Sequence, residues 1–270
     1  MTGRSAILKA FGVALAGALL ASASPGTSVA QESDADIAKK LANPVAEIVS
    51  LPLQLNYDCC YGPEDGERVT LNVQPVVPMK LNDDWNLILR TIVPFISQGE
   101  TTPGGGNEMG LGDTTQTFFF SPKAKNGLTL AAGPVFYYPT GTGGFSSQKW
   151  GAGPSALILK QEGHVTFGLL ANHIWSVAGN ERSADISNTL LQPFFNYTFP
   201  NSTGILANLE STYDWEHEQW TVPMNVGVTH MFSLGNQKVQ AGIQGRYYFD
   251  KPEGGPDWGV RFVLTYLIPS

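Results

Sequence analysis

The chain has 270 residues, of which 42% are hydrophobic and only 14% charged, with a formal net charge of −7. Ordinary soluble domains carry ~25% charged residues, so something other than dense surface charge must cover this molecule, and the acidic balance excludes nucleic acid as a partner. The two cysteines, Cys59 and Cys60, are adjacent and build no framework of the kind that staples small secreted domains.

In chain order the first element is an export signal, residues 1–30. Arg4 and Lys9 give a positive start, 10–23 form a run of small and apolar residues, and Ser28-Val29-Ala30 sets small side chains at the minus-three and minus-one positions. Cleavage is expected after Ala30, with a second candidate site after Ala23. Beyond it no stretch approaches the ~20 consecutive apolar residues of a membrane helix, which excludes helical insertion. Residues 31–50 form an N-terminal periplasmic segment. Within 34–50, Ile37, Leu41, Val45 and Ile48 recur at three- and four-residue steps, the period of a short amphipathic helix. Asn43-Pro44 should interrupt or restart it. Two readings stay open for this helix: a plug or gate at the periplasmic mouth, or a helix lying on the barrel end or the membrane surface.

From residue 51 the chain breaks into twelve segments with period-two alternation, separated by Gly, Pro, Asn and Asp clusters. They span 51–58, 68–80, 84–98, 111–122, 127–138, 148–160, 163–176, 187–199, 203–214, 218–232, 237–250 and 257–268. Such lengths exceed the ~5 to 6 residues usual in soluble sheets and suit the ~9 to 11 residues of a tilted strand crossing a bilayer. The expected fold is all-β: a transmembrane antiparallel up-and-down barrel of about twelve strands over residues 51–270, preceded by the short helix.

Alternation assigns the faces. Val69, Leu71, Val73, Val77 and Met79 should meet lipid while Arg68, Asn72 and Gln74 point inward. By the same rule Asn208, Glu210 and Asp214 oppose Ile205, Ala207, Leu209 and Tyr213, and Asn225 opposes Met224 and Val226. Gln240, Gln244 and Arg246 oppose Val239, Ala241, Ile243 and Tyr247. With Arg90 and Arg261 these polar residues form the candidate lumen lining, in which the arginines would face Glu210, Asp214 and Asp250 across the bore. The fifth and sixth segments offer little polarity inward, with Ala131, Gly133, Val135, Gly153 and Leu157 as candidates, so that wall is expected to be narrow or plugged. Pro75, Pro94, Pro134, Pro154, Pro193 and Pro223 each remove a ladder donor and predict bulges or breaks.

Longer connections should alternate with tight ones, which places both ends of the barrel in the periplasm. The odd connections are 59–67, 99–110, 139–147, 177–186 and 251–256, with a shorter one around 216–218; 81–83 and 161–162 are tight. Trp85, Trp150, Trp175, Trp215, Trp220 and Trp258 fall near segment ends, as interfacial girdles require. Cys59-Cys60 would lie in the first long connection, as a vicinal disulfide or as two thiols without a specific role.

An enzyme needs nucleophile, base and orienting group together. Asn172, His173 and Ser176 are the one candidate set for a barrel-embedded lipid hydrolase, although alternation puts Asn172 and His173 on opposite faces. Asp214, Glu216, His217 and Glu218 could hold a divalent cation or be a solvated loop, and His164, His217 and His230 match no zinc spacing. Gly104-Gly105-Gly106 lacks the strand-to-helix setting and lysine of a phosphate loop. No catalytic residue, metal or cofactor is assigned.

The segments LANPVAEIVSLPLQLNYD, TLNVQPVVPMKLNDDWNLILRTIVPF, GLGDTTQTFFFSPK, WGAGPSALILKQ, ANHIWSVAG, STYDWEHEQWTVPMNVGV and GGPDWGVRFVLTYLIP, over nearly all of 41–268, resemble a group of Gram-negative outer-membrane barrels related to the family named after the meta-cleavage pathway of phenol degradation. The resemblance implies an outer-membrane barrel for uptake of small, including aromatic or apolar, compounds, and it supplies no catalytic residues. Residues 257–264 (DWGVRFVL) resemble the C-terminal signal read by the barrel-assembly machinery, though the chain ends Ile268-Pro269-Ser270 rather than on an aromatic residue. The expected function is an outer-membrane channel or uptake pore, with outer-membrane lipid, that machinery and a small-molecule solute as partners. The alternatives are a closed structural or adhesion-type barrel and the lipid hydrolase.

Overall fold

The computed structural model describes residues 33–99 and 106–268. The export signal with its cleavage sites, most of the Gly104 to Gly106 run and the last two residues lie outside the described residues.

Twelve antiparallel strands close a barrel, and four of them are built from two segments each. In order they are β1 (Ser50–Tyr61), β2 (Gly66–Val73) continued by β3 (Val76–Lys80), β4 (Trp85–Gln98), and β5 (Glu108–Leu111) continued by β6 (Thr114–Pro122). Next come β7 (Leu128–Tyr138), β8 (Lys149–Glu162), β9 (Val165–Gly179), β10 (Ser187–Thr198), and β11 (Thr203–Leu209) continued by β12 (Ser211–Asp214). The last are β13 (Gln219–Thr221) continued by β14 (Pro223–Leu234), β15 (Gln237–Tyr248) and β16 (Trp258–Leu267). Closure comes from β16 against β1, in a register that runs from Ser50 opposite Leu267 to Cys59 opposite Trp258. A closed sheet leaves no edge, so neighbouring strands supply one another's backbone partners, as hydrocarbon demands.

Two of the prolines mark two of the interruptions. Pro75 separates β2 from β3 and Pro223 opens β14, because neither offers an N–H to the ladder. The other two interruptions fall at Gly112-Asp113 and at Glu210. Pro134 and Pro154 stand opposite each other in β7 and β8. On their far sides the pairing skips, from Thr117–Val135 to Phe120–Ala132 and from Ala152–Trp175 to Ser155–Asn172. The neighbouring glycines allow the backbones to close in at this point: a Cβ on Gly133 would lie 1.9 Å from the Phe118 carbonyl oxygen, and one on Gly153 1.7 Å from that of His173.

One end of the barrel carries tight connections at 81–84, 163–164 and 235–236, the other the long ones at 99–107, 139–148, 180–186 and 249–257. The first of the other end's connections is shorter than its sequence suggests, because β1 runs on to Tyr61 and β2 begins at Gly66. Cys59 and Cys60 therefore sit at the end of a strand rather than in a loop, and they are joined as a vicinal disulfide. Cys60 has φ of 72°, and the register of β1 with β2 shifts between Cys59 and Tyr61, so the pair forms a bulge at the rim.

The outer surface is apolar. Val77, Phe95, Leu130, Ile158, Leu169, Leu191, Ile205, Val226, Ile243 and Phe262 are all exposed on it, a surface that only lipid covers at low cost. All six tryptophans are also exposed. Five of them cluster at the long-loop end with Tyr57, Tyr138, Tyr213 and Tyr247: Trp258 stands against Tyr57, Trp150 against Tyr138, and Trp215 and Trp220 against Tyr213. Their place is an interfacial girdle and not a core.

Helix α1 (Asp34–Leu41) is capped by Ser33, whose hydroxyl accepts from the Asp36 N–H at 3.1 Å, and carries Asp34 and Asp36 in its first turn and Lys39 and Lys40 in its last. Both charge placements suit the helix dipole. It stops at Ala42, and Asn43 then accepts from the Val45 N–H, the turn that Asn43-Pro44 foretold. The segment meets the tight-turn end of the barrel. Ile37, Ala38, Leu41 and Ile48 pack with Met231 and Leu267. Val45, 3% exposed, packs with Val76, Ile88, Phe119, Ala131, Leu157, Leu159 and Leu170. Lys238 pairs with Asp34, Gln161 donates to the Lys39 carbonyl at 2.7 Å, and Asn86 donates to Glu47.

Candidate functional site

The inside of the barrel has two unlike halves. Many positions that alternate inward on β4 and β6 to β9 are apolar, with Ile88, Phe119, Leu157, Leu159 and Leu170 each no more than 3% exposed, although Arg90, Thr115, Thr117 and Asn172 also face the lumen there. Those on β15, β16, β1 and β2 are polar: Gln54, Asn56, Asp58, Arg68, Thr70, Asn72, Arg246, Tyr248 and Arg261. Between the halves lies a cavity of 650 Å³, whose lining also includes Gln74, Arg90, Ile92, Ile174, Leu190 and Glu210. A second cavity of 490 Å³, lined in part by Tyr137, Asp185 and Asp214, shares Ile174 and Asn188 with it toward the long-loop end.

The polar half is one hydrogen-bonded network. Glu210 sits at the break between β11 and β12, where its N–H reaches the Pro223 carbonyl at 3.0 Å. Freed from the regular ladder, it receives both Nη atoms of Arg261, at 2.7 and 2.8 Å. Fork-on-carboxylate geometry of this kind is the strong form of an ion pair. Arg261 Nε and Arg246 Nη1 both donate to Asn56 Oδ1, at 2.6 and 2.7 Å. Arg246 Nη2 donates to the Tyr248 hydroxyl at 3.0 Å, and that hydroxyl donates to Asp58 at 3.0 Å. Arg246 Nε lies 3.6 Å from Asp58. Each charge is held by neighbours on two or three strands, so the network braces the wall while presenting its outer groups to the cavity.

Of the residues assigned to the lumen from sequence, Arg68, Asn72, Gln74, Arg90, Glu210, Arg246 and Arg261 line the main cavity. Asn225 is fully buried and donates to Asn208 at 2.8 Å. Gln244 stands beside Arg261 in the β15–β16 register, and Gln240 stands opposite Met231 and Thr265, nearer α1. Asp214 belongs to the second cavity and pairs with His217 at 2.8 Å. Asp250 is exposed at the rim, where it accepts from Gln219. The acids that meet the arginines are thus Glu210 and Asp58, not Asp214 or Asp250. Asp58 was legible as the third member of the alternating run Gln54, Asn56, Asp58.

Two loop anchors also escaped the sequence reading. Asp113, at the β5–β6 break, accepts from the N–H groups of Gly141 at 2.8 Å and Ser147 at 2.7 Å, pinning loop 139–148 to that break. Asp185 accepts from Lys149 at 2.8 Å and Ser176 at 3.0 Å, which ties loop 180–186 to β8 and β9 and holds its carboxyl below the ordinary value of 3.8, the Lys149 bond first.

His173 and Ser176 are not brought together. His173 faces outward, with Nδ1 at 2.6 Å from Thr189 Oγ1 and its ring 4.0 Å from that of Trp175, whereas Ser176 serves Asp185. Asp214 accepts from the N–H groups of Glu216 and His217, so that acidic stretch is a capped turn. Among the described residues no group of three or more His, Cys, Asp or Glu is placed to hold a metal ion.

No protein-family model matches this chain, and no curated protein matches it by sequence. The fold is similar to the crystal structure of an outer membrane channel from Pseudomonas putida F1, with a TM-score of 0.65 and 16% identity over 84% of this chain and 97% of that one. It is also similar to the NanC porin, with a TM-score of 0.51 and 11% identity over 82% of this chain and all of that one. At such identities the likeness is one of fold: this chain has the architecture of an outer-membrane β-barrel.

Proposed function

We propose that this chain is a channel of the bacterial outer membrane that takes up small solutes, with its bore closed at rest by residues 33–49. The observation that carries this reading is the lined cavity, which shares Ile174 and Asn188 with a second cavity toward the long loops and whose Phe119 and Leu170 pack in one cluster with Val45 at the other end. The likeness in fold to channel structures supports it. Apolar packing of a short, polar-anchored segment is the kind of seal that opens at modest cost, and the polar half of the wall gives an opened bore its selectivity. The apolar half supports small aromatic or apolar compounds as solutes, in line with the resemblance seen in the sequence.

The seal also favours a second reading, a permanently closed barrel with a structural or adhesive role. Conductance in planar bilayers separates the two. The channel reading expects rare events from the native chain and frequent ones from Val45→Asp; a folded Val45→Asp barrel that gives none overturns it. Swelling of liposomes in sugars, amino acids and aromatic acids then ranks the solutes.

The remaining organisation follows from this reading. Residues 1–30 direct export and are removed after Ala30, 31–50 lie at the periplasmic mouth, and the barrel-assembly machinery inserts the rest using 257–264. Mass spectrometry of the mature protein checks the first point, with an N-terminus at Gln31 expected.

A further inference from the structure

We infer that the main cavity is a binding site for amphiphilic anions, a carboxylate carried on an apolar aliphatic or aromatic body; the inference deepens the uptake reading above by naming a substrate class. Four guanidinium groups, those of Arg68, Arg90, Arg246 and Arg261, face the cavity, against two carboxylates, those of Asp58 and Glu210. Arg246 and Arg261 use those carboxylates. Arg68 and Arg90 form no direct ion pair with them: among the described residues neither has a carboxylate within 4.0 Å. Arg68 places Nε and Nη2 on the neutral Gln98 Oε1 and stacks 4.6 Å over Tyr61, and Arg90 places Nη2 on the neutral Gln74 Oε1 at 3.2 Å.

An excess of two positive charges, walled by low-dielectric barrel, focuses a positive potential into the bore. A guanidinium whose protein partners are neutral amides keeps N–H groups for a planar, two-oxygen acceptor. Arg90 supplies the second half of the argument, since it stands at the seam between the two walls. Its register neighbours are Val76 on β3 and Thr117 on β6, and Ile92, Phe119, Leu170 and Leu190 line the same cavity beyond it. A ligand that puts its carboxylate on Arg90 therefore lays its body on an apolar wall. An inorganic anion satisfies only the first contact, and a neutral apolar compound only the second. The volume of 650 Å³ is ample for a body of this kind.

The test is equilibrium binding to the full mature chain in nanodiscs, read by calorimetry against empty nanodiscs. The probes are octanoate, octanamide, octylammonium and inorganic phosphate. Octanoate should bind at least about tenfold more tightly than each of the other three, and Arg90→Gln should weaken octanoate by about tenfold while leaving octanamide unchanged. Octanamide binding as tightly as octanoate overturns the inference, as does phosphate binding as tightly, which would make the site a simple anion trap. Should Arg90→Gln fail to fold, Arg68→Gln and the four-probe ranking on the native chain still decide. Binding is read without conduction, so octanoate bound by a barrel that never conducts retains the site and removes the channel, and conduction without discrimination among the probes does the reverse.

Discussion

Val45 offers the sharpest handle on the seal. Its side chain is 3% exposed and touches an apolar patch contributed by six strands, including Val76, Ile88, Phe119, Leu157 and Leu170. Val45→Ala removes two methyl groups from that contact, about 1.6 kcal/mol at ~0.8 kcal/mol per buried carbon. The polar anchors at Asp34, Lys39 and Glu47 are unchanged, and each is partly exposed and of small value. If closed and open states differ by release of this segment, the open population should rise on the order of tenfold. Val45→Asp, which would place an unpaired carboxylate in the same patch, should open the bore further. Single-channel recording of open probability is the assay, with heat-modifiable migration on gels confirming a folded barrel. Open probability unchanged in both variants would refute the reasoning, because it would show that the segment's apolar contact does not govern the bore.

Glu210→Gln should destabilise the barrel by about 2 to 3 kcal/mol on urea titration in lipid vesicles, less than a fully dry pair because the Glu210 side chain is 24% exposed to the lumen, and leave Arg261, at 4%, without its counter-charge; an unchanged midpoint would mean that the pair is ornamental. Gly153→Ala should cost about 1 to 3 kcal/mol because its Cβ meets backbone, whereas Gly245→Ala, with nothing within 4 Å, should be neutral; equal urea midpoints for the two would contradict the close approach at the proline pair. Asp185 titrates below 3.8 in the folded protein, and a depressed carboxylate contributes stability that is whole above that value and lost as pH falls through the folded one. Loop 180–186 should therefore resist proteolysis at neutral pH and open only in acid below about pH 3.8, while Asp185→Asn should be cleaved readily at neutral pH. Equal cleavage of native and variant protein at pH 7 would dismiss the latch.

The strands were legible because a membrane barrel writes two independent signals, period-two alternation and a span set by bilayer thickness. The run Val69, Leu71, Val73 against Arg68, Thr70, Asn72 carries both. Loop lengths were less legible: β1 continues through Cys59 and Cys60 to Tyr61, since a bulge lets a strand carry an extra residue that alternation reads as its end. The inward residues followed from parity, and their partners did not. Glu210 meets Arg261 rather than Asp214 or Asp250 doing so, because its partner stands on a strand three places round the barrel, a juxtaposition that alternation along one strand does not carry.

Composition, alternation and span thus determine from sequence alone that the chain forms a lipid-facing barrel of about twelve strands and, outside the fifth and sixth segments, which face of a strand is polar. These are local properties, fixed by the pleat and the solvent on each side. Whether the helix before β1 would lie across the barrel end or seal the bore was undetermined, as was whether the arginines would all be neutralised. Only the tertiary structure sets Val45 on a patch gathered from six strands and leaves Arg68 and Arg90 on neutral amides, because these are contacts between side chains of different elements, which the local pleat does not fix.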